Sequence, residues 1–299
     1  MILCGWYVQP DCNLPSGEGF ARQSLYGQRY FAEKFGVTAK VGYNVDSFGH
    51  NAMLPQILKK SGMEAYVYMR PFESEMHMDW DIFNWRSPDG STVPTFHICD
   101  FYTYNFKDMD DLKERLETVS KTGVDDIDSV ICFYGVGNHG GGPTKHNIEL
   151  IEEFKKQEND KNVVFGNPSD FFNSLDKEKL PLYEGEFQHH ASGCYSAVSA
   201  VKNGVRRCEN DLIAAEVYSV ISNKLLLKEY KTELIKNAWR DVLFNHFHDT
   251  FGGCCIKPAY EDMLGFLGEA QSVARRVTNN ALQSISWAID TSNAEKGLI

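Results

Sequence analysis

The sequence predicts an α/β fold: a parallel sheet with crossover helices, followed by an antiparallel bundle of three helices. Over residues 1–181, strand-like apolar runs alternate with helical patterns, which is typical of parallel α/β sheets. A polar segment containing several glycines then interrupts the alternation, and the rest of the chain shows only helical patterns. With 299 residues, the chain is long enough to bury a full core.

The first part contains six strand-like runs, at 2–8, 39–44, 65–70, 92–99, 128–137 and 162–167. The helical patterns between them cover about 19–35, 51–62, 109–123, 145–157 and 168–176. Parallel α/β sheets carry their chemistry at the carboxyl ends of the strands. Asp46, Arg70, Tyr104 and Asn138 each follow such a run. We therefore expect these four side chains to emerge at one edge of the sheet.

The second part begins after a predicted connection over 182–208, which contains Gly185, Gly193 and Gly204. Three amphipathic stretches follow it and predict a small antiparallel bundle. They cover 209–227, 228–247 and 256–289. The predicted domains are an α/β domain over 1–181, the connection over 182–208, the bundle over 209–291 and a frayed tail over 292–299.

Composition excludes several classes of function. The net charge of -11 argues against a nucleic-acid partner, since phosphate binding needs a basic surface. No run of 18 apolar residues occurs, so no membrane span is expected. The eight cysteines are scattered without a Cys-x-x-Cys pair, which argues against a zinc ribbon and favours a reducing cytoplasm.

Two short motifs point to chemistry, and each combines a carboxylate with a histidine. The first surrounds Asp46 and reads Tyr43-Asn44-Val45-Asp46-Ser47-Phe48-Gly49-His50-Asn51. An aspartate in this position could simply cap the helix predicted to follow it. The second motif surrounds His248 and reads Asn245-His246-Phe247-His248-Asp249-Thr250-Phe251-Gly252-Gly253. A lone helical histidine is more often a core residue. A functional site is favoured here by the neighbouring His246 and Asp249 and by the glycine pair.

Together these motifs resemble glycoside hydrolase family 38, the zinc-dependent retaining α-mannosidases. The resemblance covers nearly the whole chain and implies an incomplete parallel β/α barrel of about seven strands, followed by the helical bundle. It implies that Asp46 is both the glycosidic nucleophile and a zinc ligand, and that His248 is the last zinc ligand. The expected substrate is an α-mannoside oligosaccharide or glycoside, and the full-length enzyme could form a homo-oligomer.

The resemblance also implies a set of substrate-binding residues: Phe48, Arg70, Tyr104, Asn138, His139 and Asp249. Arg70 has a further argument of its own. It lies 24 residues after Asp46, the span of one strand–helix–strand step, and its charge would keep a carboxylate ionised. Asn138 and His139 lie in a glycine-rich run where the family carries its general acid, often an aspartate. The identity of the acid therefore stays open.

One family feature is missing. No His-x-Asp, the family's first metal pair, precedes Asp46, and the one at His77-Met78-Asp79 follows it and is interpreted as a coincidence. We therefore expect an internal fragment of a longer enzyme that is inactive alone. Two alternatives remain open: a mannosylglycerate hydrolase of the same family, and a sugar- or metal-binding module without turnover.

Overall fold

A computed structural model of the chain describes residues 4–121, 127, 129–137, 141–157 and 163–292. Contacts within the chain separate it into two compact units. The first unit comprises Met1–Asn13 and Gln23–Ser192, and the second comprises Leu14–Arg22 and Gly193–Ile299. No helix in the described ranges is long and apolar enough to cross a bilayer. No disulfide joins any of the eight cysteines.

Five strands form one sheet in the first unit. They are β1 (Val41–Asn44), β2 (Ala65–Tyr68), β3 (Ile82–Arg86), β4 (Thr92–His97) and β5 (Leu182–Glu184). Their order across the sheet is β1-β2-β4-β3-β5. Neighbouring strands are parallel except β3 and β4, which are antiparallel. The sheet is therefore mixed, and the prediction of an all-parallel sheet is wrong at β3.

The reason for the antiparallel pair is the short connection between β3 and β4. Only five residues, Ser87 to Ser91, join the two strands, and Gly90 takes a φ of +85° there. The Ser87 amide donates to the Ser91 carbonyl at 2.9 Å and closes the turn. A parallel neighbour would need a crossover of about a dozen residues, so this connection permits only a hairpin.

The predicted strand-like runs at 39–44, 65–70 and 92–99 correspond to β1, β2 and β4. The other three runs form no strand within their described residues. Two of them make isolated bridges instead, Cys4 with Gly42 and Tyr104 with Gly135. The described residues therefore contain five strands rather than about seven.

The helices of the first unit follow the predicted periodicity closely. They are α1 (Gly17–Phe35), whose first turns belong to the second unit, α2 (Leu54–Lys60), α3 (Met109–Ser120), α4 (Lys145–Gln157) and α5 (Pro168–Ser174). Side-chain caps begin two of them: Asp108 accepts from the Asp111 amide and Asn167 from the Asp170 amide, each at 3.0 Å. Apolar side chains of β1, β2, β3 and β4 form the core, which α5 covers with Phe172.

The second unit is helical: α6 (Ser199–Leu226), α7 (Thr232–Phe244), α8 (His248–Gly252) and α9 (Lys257–Trp287). The three long helices α6, α7 and α9 each pack against the other two. Val205, Leu212, Trp239 and Ala274 are fully buried between them. Helix α6 begins ten residues before the predicted start at 209, so the predicted connection over 182–208 contains β5 and the first turns of α6.

Candidate functional site

Asp46 lies two residues beyond Asn44, the last residue of β1. The turn is fixed by buried hydrogen bonds: Trp6 Nε1 donates to Asn44 Oδ1 at 2.7 Å, and Ser47 Oγ donates to the Pro10 carbonyl at 2.7 Å. The Asp46 amide donates to Gln9 Oε1 at 3.1 Å. These contacts hold the backbone in place while the side chain of Asp46 stays 30% exposed.

Asp46 does not cap the helix that follows it. Helix α2 begins at Leu54 with Met53 in the capping position and no side-chain cap. The local turn is instead closed by Asn51, whose Oδ1 accepts from the Met53 amide at 2.9 Å. The capping interpretation of Asp46 is therefore wrong, and its carboxylate is available for other contacts.

Both carboxylate oxygens of Asp46 accept a hydrogen bond from a neighbouring side chain. Arg70 NH2 donates to Oδ1 at 3.2 Å, and the Tyr102 hydroxyl donates to Oδ2 at 3.2 Å. Arg70 follows β2, the parallel neighbour of β1, as the spacing of the two residues predicted. Arg70 and Tyr102 thus orient both oxygens of this carboxylate, and the bond from the guanidinium is charge-assisted.

Two buried histidines contact the backbone that carries Arg70. His50 Nε2 lies 2.9 Å from the Arg70 carbonyl, and His97 Nε2 lies 3.0 Å from the Met69 carbonyl. Burial lowers the pKa of His50 to about 3, so its ring is neutral. Because a carbonyl only accepts, Nε2 of His50 carries the proton, and Nδ1 accepts from the Tyr66 hydroxyl at 2.7 Å.

His190 extends the cluster on the far side of Arg70. Its Nε2 lies 3.1 Å from Arg70 NH1, and its Nδ1 lies 2.8 Å from Glu75 Oε1. Phe48 and Phe72 contact the His190 ring edge to face, with centroids 5.4 and 5.7 Å away. Phe48, predicted to contact substrate, is 9% exposed here.

Tyr104 was predicted to line this site, but the structure brings Tyr102 to Asp46 instead. The Tyr104 hydroxyl donates to Asp111 Oδ1 at 2.6 Å, and the Arg115 guanidinium lies over its ring at 4.9 Å. Residues 102 and 104 do not belong to a β-strand. The alternation of side chains along a strand therefore could not predict which of the two tyrosines contacts Asp46. Asn138 and His139, the other predicted residues of this edge, lie outside the described residues.

In the second unit, His248 and Asp249 begin the short helix α8. His248 is 5% exposed and its ring contacts Phe247 at a centroid distance of 4.2 Å. Its Nε2 lies 3.8 Å from Asp249 Oδ1. The Asp249 side chain is 41% exposed and accepts from Cys254 Sγ at 3.5 Å. Gly253 follows the helix as its C-terminal cap, and its φ of +102° suits glycine.

His246, two residues before His248, has a different environment. It is fully buried, stacks on Phe251, and its Nε2 lies 3.4 Å from Glu209 Oε1. Glu209 also accepts from the Ser16 amide at 3.0 Å and from Arg206 NH1 at 2.7 Å. Burial acts to raise the pKa of Glu209, but His246 and these donors outweigh it and lower the pKa.

The described residues do not by themselves fit a complete zinc centre. Zinc usually takes four nitrogen, sulfur or oxygen ligands, or three plus water. Within the described ranges, no group of three or more His, Cys, Asp or Glu side chains could hold a metal ion. His77 and Asp79 lie on an exposed loop, 3.5 Å apart, where His77 also pairs with Glu73. Among the described residues, Asp46 and His248 are the donors that the family resemblance implied.

Comparison with known proteins finds relatives that are named as enzymes acting on mannosides. "Alpha-mannosidase G" of Dictyostelium discoideum is 34% identical over 95% of the chain, which spans 26% of that protein. A "Putative mannosylglycerate hydrolase" of Halalkalibacterium halodurans is 24% identical over 88% of the chain, which spans 32% of it. The crystal structure of an alpha-mannosidase from Enterococcus faecalis V583 superimposes with a TM-score of 0.83 at 20% identity, covering 96% of this chain and 34% of the other.

The chain thus spans only about a quarter to a third of the length of these two curated relatives. Residues 188–285 match the family described as "Alpha mannosidase middle domain". Residues 1–192, which include Asp46 and Arg70, match "Glycosyl hydrolases family 38 N-terminal domain". The chain therefore belongs to glycosyl hydrolase family 38.

Proposed function

We propose that this chain carries the nucleophile of a retaining glycosidase that cleaves terminal α-mannosyl bonds, and that Asp46 is that nucleophile. The observation that carries the proposal is the environment of Asp46. Its side chain is partly exposed at a strand end, and its two oxygens accept from Arg70 and Tyr102 at 3.2 Å each. Family membership and the names of the relatives support the substrate class.

In a retaining mechanism, the carboxylate attacks the anomeric carbon while an acid protonates the leaving oxygen. Water then hydrolyses the glycosyl–enzyme ester and the carboxylate leaves again. An attacking carboxylate must be ionised and held in one orientation. Arg70 supplies the positive charge, and Tyr102 fixes the second oxygen. The general acid stays unassigned: at the aligned positions, His139 could protonate the leaving oxygen, whereas the side-chain amide of Asn138 has no acidic proton.

The other predicted site residues enter the proposal with the roles that the family implies. Members of the family are generally zinc-dependent, and Asp46 and His248 would be two of the metal ligands. Phe48 and Asp249 would contact the sugar, and Tyr104 would do so through its ring, since its hydroxyl is engaged by Asp111. The mixed sheet would be part of a β/α barrel. The helices α6, α7 and α9 would form a three-helix bundle. The protein would be cytoplasmic.

A second candidate is a mannosylglycerate hydrolase. One relative carries that name, at 24% identity over 88% of the chain. The two activities would share the mannosyl-binding half of the site and differ in the aglycone. Comparing kcat/KM for mannosylglycerate with that for an α-linked mannobiose separates them, because a tenfold preference either way identifies the aglycone that the site selects.

The test of the proposal is turnover of a synthetic α-mannoside by the protein with any flanking sequence its gene encodes. Asp46→Asn should abolish turnover while circular dichroism and the unfolding midpoint stay close to wild type. Asp89→Asn is the matched control, because Asp89 lies in the exposed β3–β4 turn and should leave kcat unchanged. Full activity of Asp46→Asn would overturn the assignment.

A further inference from the structure

Four side chains form a continuous row from Asp46 to Glu75. Arg70 NH2 contacts Asp46 Oδ1 at 3.2 Å, Arg70 NH1 contacts His190 Nε2 at 3.1 Å, and His190 Nδ1 contacts Glu75 Oε1 at 2.8 Å. We propose that His190 and Glu75 are positioning residues, which hold the Arg70 guanidinium in the orientation that it needs to act on Asp46. This inference rests on the proposed role of Asp46.

The direction of each hydrogen bond follows from the chemistry of the groups. A guanidinium has only N–H donors, so His190 Nε2 must accept from Arg70. The proton of the neutral ring is then on Nδ1, which donates to the Glu75 carboxylate at 2.8 and 2.9 Å. The opposite tautomer would place an N–H of His190 against an N–H of Arg70. Glu75 thus selects the tautomer that can accept from Arg70.

Glu75 is itself held as an ionised acceptor. Its Oε2 accepts from the Phe72 amide at 2.9 Å. Burial acts to raise the pKa of Glu75, but the Phe72 amide and the His190 ring outweigh it and lower the pKa. The side chains of His190 and Glu75 are 17% and 28% exposed, so solvent screens this pair only in part.

Arg70 depends on these contacts for its orientation. Within the described residues, its Nε is buried and has no hydrogen-bond partner. The Phe72 ring centroid lies 5.1 Å from the guanidinium carbon. The ring restricts the plane of the guanidinium but does not fix how the group is rotated within that plane. The bond from NH1 to His190 and the bond from NH2 to Asp46 remain. Loss of the first leaves the guanidinium free to turn away from the carboxylate.

The kinetic test substitutes His190 while keeping its packing against Phe48 and Phe72. His190→Phe retains an aromatic ring but removes the acceptor, and kcat for a synthetic α-mannoside should fall about 10- to 100-fold, as for loss of a hydrogen bond to a charged group, with KM nearly unchanged. His190→Gln restores an acceptor oxygen and should recover part of kcat. Glu75→Ala should also lower kcat, as His190→Phe does.

Glu73→Ala is the matched control, because Glu73 lies in the same loop but pairs with the exposed His77. It should leave kcat unchanged. A loss in His190→Phe no larger than the loss in Glu73→Ala would overturn the proposal, as would a failure of His190→Gln to recover more than His190→Phe.

A second measurement needs no activity and separates this inference from the proposed function. Nitrogen-15 NMR of histidine-labelled protein reports the tautomer of each ring, and the signal missing in His190→Gln identifies His190. We expect a protonated Nδ1 and an unprotonated Nε2, and loss of this pattern in Glu75→Ala but not in Glu73→Ala. The Nε2-protonated tautomer in the wild type would overturn the inference. An active Asp46→Asn would instead overturn the role of Asp46 and leave the tautomer result intact.

Discussion

Arg70 donates to Asp46 at 3.2 Å across the ends of two adjacent parallel strands, β1 and β2. The side chains of Arg70 and Asp46 are 18% and 30% exposed, so water reaches the pair but does not surround it. This relationship brings a cation to the carboxylate that we propose as nucleophile. Because two nitrogens of the guanidinium make separate contacts, the effect on Asp46 depends on the shape of the arginine side chain as well as on its charge.

Arg70→Lys should lower kcat by about tenfold or more, although the charge is kept. A lysine ammonium lacks the planar fork and cannot contact Asp46 and His190 in the way that the two guanidinium nitrogens do. Arg86→Lys is the control, since Arg86 pairs with Glu184 on the sheet surface at 3.3 Å. Equal kcat values for Arg70→Lys and the wild type would show that charge alone suffices.

Tyr102→Phe and Tyr104→Phe should differ in their kinetic effect. Removal of the Tyr102 hydroxyl deletes a hydrogen bond to Asp46 and should lower kcat by about tenfold. Removal of the Tyr104 hydroxyl deletes a bond to Asp111 and should leave kcat within about twofold of the wild type. Steady-state kinetics of both variants check this. The reverse ranking would favour the role that the family resemblance implied for Tyr104.

His50 should make the folded state less stable in acid. Its pKa is lowered from an ordinary 6.5 to about 3, so between these values the unfolded chain binds a proton that the folded chain does not. The stability it contributes is present above pH 6.5 and is lost as the pH falls towards 3, by on the order of 5 kcal/mol in total.

Urea unfolding at a series of pH values measures this contribution. The free energy of unfolding of His50→Gln should fall less steeply with acid than that of the wild type. The comparison variant is His146→Gln, which changes an exposed histidine of α4. Parallel pH profiles for the wild type and His50→Gln would contradict a neutral buried His50.

Residues 1–299 alone should bind zinc weakly or not at all, and should hydrolyse no α-mannoside. Among the described residues, Asp46 and His248 are the two zinc donors that we propose, whereas a zinc site usually needs three or four. Metal analysis after dialysis against zinc checks the first statement. His77→Ala should not change the result, because His77 lies 74% exposed beside Asp79. Stoichiometric zinc together with α-mannosidase turnover would contradict this prediction.

Much of the fold could be predicted from apolar periodicity. The periodicity identified β1, β2, β4 and the helices α1 to α5, and the spacing of Asp46 and Arg70 then placed both residues at neighbouring strand ends. The predicted elements do not include the β3–β4 hairpin, although Pro88, Asp89 and Gly90 are a turn signal. Local sequence therefore contained the information, and the prediction overlooked it.

Other features had no local signal. Gly204 belongs to the predicted connection but lies inside α6. A Cβ added at Gly204 would lie 3.0 Å from Leu267 of α9. The absence of a side chain at Gly204 therefore permits close packing of the two helices. His190 and Glu75 are 115 residues apart, and no pattern links them before the chain folds. Tyr102 and Tyr104 were distinguished only by the direction in which an irregular segment turns its side chains.

The central claim is that Asp46 attacks the sugar, and covalent trapping tests it most directly. A fluorinated mannosyl fluoride slows hydrolysis of the glycosyl–enzyme ester, so the intermediate accumulates on the nucleophile. Applied to the protein with any flanking sequence its gene encodes, and followed by peptide mass spectrometry, it should add one fluoromannosyl group to Asp46 and none in Asp46→Asn. Label on a different carboxylate, with Asp46 unmodified in an inactivated enzyme, would contradict the claim.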